Sequence, residues 1–261
     1  VHTVSASNAL TYTITAGNTA AAFAIDASGK ITVNNASALD FEVIPSFGLT
    51  VQVSDGTLSD DAIITINLND INESPAAIDA TVALDENSAN GTTVHTVSAS
   101  DPDGDALTYS ITAGNTTSAF AVNAAGQITV NDASVLDFEA TPSLTLTIRV
   151  SDGTLWDDAT ITINPNNINE APTANDATVS LDENSANGTT VHSVLASDPD
   201  GDALTYSITA GNTTSAFAIN ASGQITVNDV AALDFETTPS IALTVRVSDG
   251  TLWDDATITI N

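Results

Sequence analysis

The 261-residue chain has no cysteine, no methionine, only 3 Lys+Arg and 5% aromatic residues. Without cysteine there is no disulfide framework, no thiol nucleophile and no thiolate metal site. This alone does not fix the compartment, since oxidising compartments permit disulfides without requiring them. The shortage of positive charge is more selective. Against 33 Asp+Glu it leaves a formal charge of −30 and a pI near 4.1. Phosphate backbones and anionic lipid surfaces repel such a chain, which excludes nucleic acid as a partner. No apolar run approaches the ~18 residues of a membrane span. The start, Val1-His2-Thr3-Val4, has neither the basic residues nor the apolar core of a signal peptide, so the chain reads as an internal piece of something longer.

What is present is repetition. Asp85-Glu86-Asn87-Ser88-Ala89-Asn90-Gly91 returns unchanged at Asp182-Glu183-Asn184-Ser185-Ala186-Asn187-Gly188, 97 residues later. Leu-Asp-Phe-Glu occurs at 39–42, 136–139 and 233–236, and Ser-Asp-Gly at 54–56, 151–153 and 248–250, giving three copies. Residues 85–164 and 182–261 differ at 11 of 80 positions, as in Val122 against Ile219, so one fold is expected for both. The first copy departs: Ser7-Asn8-Ala9 replaces Asp101-Pro102-Asp103-Gly104-Asp105-Ala106, and nothing before Val1 matches 77–93. Its opening strand is therefore expected to be missing, leaving a sheet edge that invites pairing with another chain.

Within a copy the hydrophobic period is two. Leu107-Thr108-Tyr109-Ser110-Ile111-Thr112 and Leu144-Thr145-Leu146-Thr147-Ile148-Arg149-Val150 alternate, as half-buried strands do. β-Branched Val, Ile and Thr suit a pleated surface, and Asn90-Gly91, Pro102-Asp103-Gly104 and Asp152-Gly153 mark turns between segments. About seven strands per copy predict an all-β chain with almost no helix. It is a tandem array of three Greek-key β-sandwiches, the first incomplete, over residues 1–70, 71–167 and 168–261. Trp156 and Trp253 follow the Ser-Asp-Gly turn and are expected to pack a sandwich end.

The acids gather where strands end: Glu86, Asp101/Asp103/Asp105, Asp137/Glu139, Asp152 and Asp157/Asp158. Alternate spacing, as in Asp137-x-Glu139, points two side chains to one face of an extended segment. Hard cations such as Ca²⁺ take six to eight oxygens, so several clusters must converge to hold one. The oxygen-rich linkers Leu68-Asn69-Asp70-Ile71-Asn72-Glu73-Ser74-Pro75 and Asn166-Asn167-Ile168-Asn169-Glu170-Ala171-Pro172 offer the meeting place. Asp157-Asp158 and Asp254-Asp255 read instead as solvated turns.

Asp-Glu-Asn, Asp-Pro-Asp-Gly-Asp, Leu-Asp-Phe-Glu, Val-Ser-Asp-Gly and Asp-Ile-Asn-Glu-x-Pro, in fixed order at one period, resemble bacterial cadherin-like repeats of large calcium-dependent surface adhesins. The resemblance covers the whole chain and implies Ca²⁺ at the junction of consecutive domains. Carried over, the first junction would use Asp40, Glu42, Asp70, Asn72, Glu73, Asp101, Asp103 and Asp152. The second would use Glu86, Asp137, Glu139, Asn167, Asn169, Glu170, Asp198, Asp200 and Asp249. The first lacks the Glu of Asp-Glu-Asn, and Asn167 stands where the first linker has Asp70, which lowers the charge of the second. Glu73 and Glu170 replace the Asp usual in animal cadherins. Glu183, Asp234 and Glu236 would form half a site, whereas the first copy keeps Asp55 without the Asp-x-Asp loop.

Other chemistries find little support. Asp101-x-Asp103-x-Asp105 opens like an EF-hand loop, but Ala106 and Thr112 occupy its required Gly and Glu positions. His2, His95 and His192 recur once per copy at one strand position, which argues for a structural role and against a His-rich zinc site or a catalytic base. The expected function is non-enzymatic: a calcium-rigidified extender of a secreted or cell-surface bacterial adhesin whose partners are neighbouring repeats of the same or an identical chain. The alternatives are a subunit of an extracellular filament joined by strand complementation, a homophilic or polysaccharide-binding module, and a merely salt-adapted surface.

Overall fold

The computed structural model describes residues 10–261. His2, the shortened Ser7-Asn8-Ala9 loop and the start of the first copy lie outside the described residues. Among those described, the structure is strands, turns and four three-residue 3-10 turns, and no helix is long and apolar enough to cross a membrane. The all-β expectation holds.

The chain divides into two compact units whose limits cut through the middle repeat. One comprises Val1–Thr81, Thr93–Thr129 and Thr145–Thr162; the other comprises Val82–Thr92, Val130–Leu144 and Ile163–Asn261. The third repeat lies wholly in the second unit and shows the complete sandwich. One sheet has four strands in the spatial order Ala177–Val179, Trp253–Ile260, Ile241–Ser248, Thr205–Ala210; the other has Thr190–Ser193, Gln224–Val227, Phe217–Ile219. A short pair, Thr173–Ala174 with Ala196–Ser197, brings the linker onto the repeat. His192 lies opposite Ile225 as a half-buried strand residue, in keeping with a structural role.

Alternation makes the core. Along Ile241–Ser248 the side chains of Leu243, Val245 and Val247 are fully buried, as are those of Ala256 and Ile258 on the adjacent strand. Phe217, Ile225, Val227 and Leu233 close the cluster from the second sheet and the turn after it. The opening strand runs parallel to the last one, with Ala177 against Ile258 and Val179 against Ile260, and it seals that side of the core.

Strand Thr205–Ala210 slips register between Ile208 and Ala210 where it meets Ile241–Ser248. Gly211 follows at φ +83°, and a Cβ there would collide with the Ala242 carbonyl oxygen. Both the left-handed backbone and the close approach demand glycine. Gly211→Ala is expected to destabilise the third repeat by about 2–3 kcal/mol, read as an earlier melting transition with hydrogen exchange accelerating in residues 205–260. Unchanged exchange there would show that the backbone relaxes around the new methyl group.

The first repeat, in the other unit, is thinner. Its sheets are Thr11–Ala16, Ser46–Ser54, Ser59–Asn67 and the pair Phe23–Ile25, Ile31–Val33. Phe47, Leu49 and Val51 with Ala22 and Phe23 form its core, and Phe23 meets Phe47 edge to face at 5.1 Å. Among the described residues no strand lies beyond Ser59–Asn67. Ile64 is 39% exposed there, whereas its counterpart Ile258 is fully buried.

Candidate metal centre

Strand ends and linkers bring carboxylates together at two junctions, one inside each compact unit. In the first unit, oxygens of Glu42, Asp70 and Asp103 lie within 4.8 Å of one another. In the second, Glu86, Glu139 and Glu170 do the same. Leu-Asp-Phe-Glu supplies Glu42 and Glu139, because the turn it enters is fixed by its own aspartate. Asp40 Oδ1 accepts the Val43 N–H at 2.9 Å, and Asp137 Oδ1 accepts the Ala140 N–H at 2.7 Å. Asp40 and Asp137 thus shape the turn and are absent from the tight groups.

Each linker is tied to the repeat that follows it. Asn72 donates to Asp152 Oδ2 at 2.8 Å and the Glu73 N–H to Asp103 Oδ2 at 2.9 Å. At the second junction Asn169 donates to Asp249 at 2.9 Å and the Glu170 N–H to Asp200 at 2.8 Å. These bonds pull Asp152 and Asp249 well below the ordinary carboxylate range: the Asn amides contribute most, then the backbone N–H groups of the following turn. Both stay charged.

Attachment to the preceding repeat takes two forms: at the first junction the Leu68 N–H donates to the Pro45 carbonyl at 3.0 Å and Asp70 shares a side-chain hydrogen bond with Glu42, and at the second a buried carboxylate makes the link. Glu86, 2% exposed, accepts the Phe138 N–H at 2.6 Å through one oxygen and the Ile168 N–H at 2.7 Å through the other. A single carboxylate therefore clamps the Leu-Asp-Phe-Glu turn and the linker, and Asn87 adds a bond to Glu170 at 2.6 Å. The exposed Asn167 makes no side-chain hydrogen bond to another described residue.

The electrostatics of both groups are those of crowded, partly desolvated carboxylates. Desolvation raises the Asp70 carboxyl above its usual range, and the neighbouring Asp103 pushes it further. Desolvation, then the charges of Glu42 and Asp103, raises Glu73; desolvation, then Glu86, Asp200 and Glu170, raises Glu139. At each junction one oxygen goes further still: Oδ2 of Asp101 and Oδ2 of Asp198 are shut off from solvent with no hydrogen-bond partner. Their other oxygens are occupied, Asp101 Oδ1 by the N–H groups of Asp103 and Asp105 and Asp198 Oδ1 by that of Asp202. A buried carboxylate oxygen without a donor is costly, and a hard cation among carboxylates is one group able to satisfy it. The residues present fit such an ion.

A third group, Glu183, Asp234 and Glu236, also converges within 4.8 Å, all three residues exposed. Asp55, its pKa lowered to about 2 by the backbone N–H groups of Leu58 and Thr57, caps its own turn.

Two expectations need correction. Asp157-Asp158 and Asp254-Asp255 lie in strands and are bonded, not loosely solvated turns. Asp157 accepts the Ala77 N–H and Asp254 the Ala174 N–H, both at 2.9 Å, fastening the linker ends, while Asp158 and Asp255 pair with Arg149 and Arg246 at 2.8 Å. Nor do the tryptophans pack a sandwich end. Trp156 and Trp253 are 54% and 53% exposed on the outer sheet face, each beneath a guanidinium, at 4.8 Å and 4.6 Å. Sequence reading also passed over Asp79 and Asp176, which accept the Thr160 and Thr257 N–H groups at 2.7 Å. Their recurrence one period apart was the available signal.

Comparison with known proteins agrees with this architecture. The Cadherin domain model matches residues 80–164 and 177–261. Protocadherin Fat 2 of Rattus norvegicus is 34% identical over 261 residues, covering 92% of this chain, and Protocadherin Fat 4 of Mus musculus is 36% identical over 259 residues, covering 91%. The chain spans only 6% and 5% of those relatives' own lengths. Among solved structures, the extracellular cadherin domains 1-5 of Protocadherin Gamma B2 superpose with a TM-score of 0.68 at 25% identity, covering 97% of this chain and 52% of that one. Mouse Cadherin-23 EC22-24 gives 0.66 at 24%, covering 97% and 86%. With the model matched over most of its length and the sandwich topology in place, this chain belongs to the cadherin family.

Proposed function

We propose that this chain is a calcium-rigidified extender of a secreted or cell-surface bacterial adhesin, built from repeats at residues 1–70, 71–167 and 168–261 and located outside the cell. The observation that carries the reading is the buried, unpartnered Oδ2 of Asp101 and of Asp198, each two residues before the aspartate that accepts the linker's Glu N–H. The first site would use Asp40, Glu42, Asp70, Asn72, Glu73, Asp101, Asp103 and Asp152; the second Glu86, Asp137, Glu139, Asn167, Asn169, Glu170, Asp198, Asp200 and Asp249. Bound Ca²⁺ supplies positive charge that offsets the repulsion of these groups. The chain's own contribution is to fasten each linker downstream through Asp103 and Asp152, or Asp200 and Asp249, and at the second junction upstream through Glu86. The role is structural, with neighbouring repeats as partners, and no catalysis is proposed.

The test is calcium titration by calorimetry with small-angle scattering before and after chelation. Saturable binding with a longer, stiffer particle supports the reading. No heat and no change in scattering at millimolar calcium would overturn it and leave the acids as a salt-adapted surface.

The exposed Trp156 and Trp253 favour a second reading, contact with a neutral polysaccharide, because an indole face is the usual stacking surface for a sugar ring. The chain has no other tryptophan, so their fluorescence is a direct probe. A saturable shift with neutral glycans, abolished in Trp156→Ala/Trp253→Ala, supports it, and a flat titration removes it.

A further inference from the structure

Trp156 opens a strand whose outward face continues through Asp158, Thr160 and Thr162, because alternate residues of Trp156–Asn166 share a face. Beside the far end of that row, Asp79 accepts the Thr160 N–H through Oδ1 at 2.7 Å, and its other oxygen has no hydrogen-bond partner among the described residues. Asp79, Ala80 and Thr81 with Thr160 and Thr162 wall an open polar groove of about 250 Å³. Between indole and groove stands Arg149. It holds Asp158 by two bonds, Nε to Oδ1 and Nη2 to Oδ2, both 2.8 Å, and its guanidinium lies 4.8 Å from the centre of the Trp156 ring. The third repeat carries the same set: Arg246 grips Asp255 through the same pair of bonds over Trp253, and Asp176 accepts the Thr257 N–H.

The fold does not require this set. In the first repeat, Ser46–Ser54 and Ser59–Asn67 pair with Ser54 opposite Ser59 and Gln52 opposite Asp61, the register in which Ser248 faces Trp253 and Arg246 faces Asp255. There Ser59, Gln52 and Ile63 replace the indole, the guanidinium and the groove threonine, and the strands still form. Charge then says what the face suits. Both arginines of a chain with only 3 Lys+Arg stand here, each neutralising one carboxylate, so each indole lies on a locally neutral patch of a strongly acidic protein. What faces solvent is a ring surface, threonine hydroxyls, the unbonded Nη1 donors of the arginine and one carboxylate oxygen. Such groups hydrogen-bond neighbouring hydroxyls of a neutral ligand, while the net charge of −30 repels anions.

Resting on the glycan reading of the tryptophans, we infer that each indole is one end of an extended site for a neutral oligosaccharide. One sugar stacks on Trp156, and another further along the chain is held in the groove by Asp79 and the hydroxyls of Thr160 and Thr162. Trp253 with Asp176, Thr257 and Thr259 forms the second site. Trp156 and Thr160 are four residues apart on one strand, roughly 13 Å at about 3.3 Å per residue. That is farther than one pyranose ring reaches, so a monosaccharide fills one end and only an oligosaccharide fills both. Linking the two contacts in one ligand makes affinity depend on its length.

The test titrates the full chain, by tryptophan fluorescence, with neutral glucose, mannose and galactose oligomers of increasing length and with galacturonate oligomers matched to them. At least one neutral series should bind tenfold or more tightly as an oligomer than as a monosaccharide, and the galacturonates should give no saturable shift. Asp79→Asn/Thr162→Val combined with Asp176→Asn/Thr259→Val should abolish that gain at an unchanged melting temperature, since asparagine keeps the Oδ1 acceptor and valine keeps the branched shape. A gain that persists in this variant, or saturable binding that does not grow with length, would overturn the inference and leave the indole reading standing. A flat titration with every neutral series, or a preference for galacturonates, removes both.

Discussion

Chelating calcium is expected to lower the melting temperature by about 10 °C or more and to open both linkers to a glutamate-specific protease. A ligand at a hundred times its dissociation constant stabilises the folded state by about 2.7 kcal/mol per site, and each kcal/mol is worth about 4–8 °C in a domain of this size. Without the ion, Glu42, Asp70 and Asp103, and separately Glu86, Glu139 and Glu170, face one another with nothing between them. Glu73 and Glu170 stand in the linkers, so cleavage there should give fragments ending at those two residues, and millimolar calcium should suppress them. Trypsin is the informative control, because Lys30, Arg149 and Arg246 all lie within repeats and none in a linker. Sodium chloride matched for ionic strength separates site binding from screening, which acts over about 8–10 Å regardless of geometry. If sodium restores the melting temperature and the protection as fully as calcium, the clusters are dispersed surface charge and the junction reading fails.

The sandwich was legible because its signals are local and redundant. Period-two alternation along Leu144–Val150 and 241–248 predicts the buried faces found, and near-identity of two copies makes one fold for both necessary. The acidic groups were legible in part. Spacing within Leu-Asp-Phe-Glu does not say which of its acids turns inward: Glu139 joins the cluster, while Asp137 turns back to cap the Ala140 N–H. What stayed hidden depends on contacts distant in sequence. Asp157 and Asp158 look like a polar turn because their partners, Ala77 and Arg149, lie 80 and 9 residues away. The exposure of Trp156 follows from strand phase: its position shares the outward face with Asp158, and only the start of the strand fixes that phase. Alternation is likewise blind to direction, so the parallel closure by Ala177–Val179 could be read only from the pairing itself.

Glu86→Gln should weaken calcium binding at the second junction about a hundredfold and leave the first unchanged. Glu86 differs from the other acids of its group in being buried and in accepting from two separate segments, Phe138 and Ile168, through two different oxygens. Glutamine keeps the shape but presents one amide nitrogen, so one of those N–H groups faces a donor instead of an acceptor. The substitution also removes a formal charge from the cluster, and ligand charge sets calcium affinity over orders of magnitude. Calorimetry should then resolve two classes of site, with the weaker belonging to the mutated junction, and glutamate-specific cleavage should appear at Glu170 before Glu73. Glu183→Gln is the matched control, carrying the same motif and a longer bond to Phe235, 3.3 Å, on an exposed group. It should leave both junctions intact. Should Glu86→Gln and Glu183→Gln behave alike, the Glu86 clamp does not hold the second junction, and the unpartnered Asp198 oxygen with Glu139 and Glu170 must carry the ion without it.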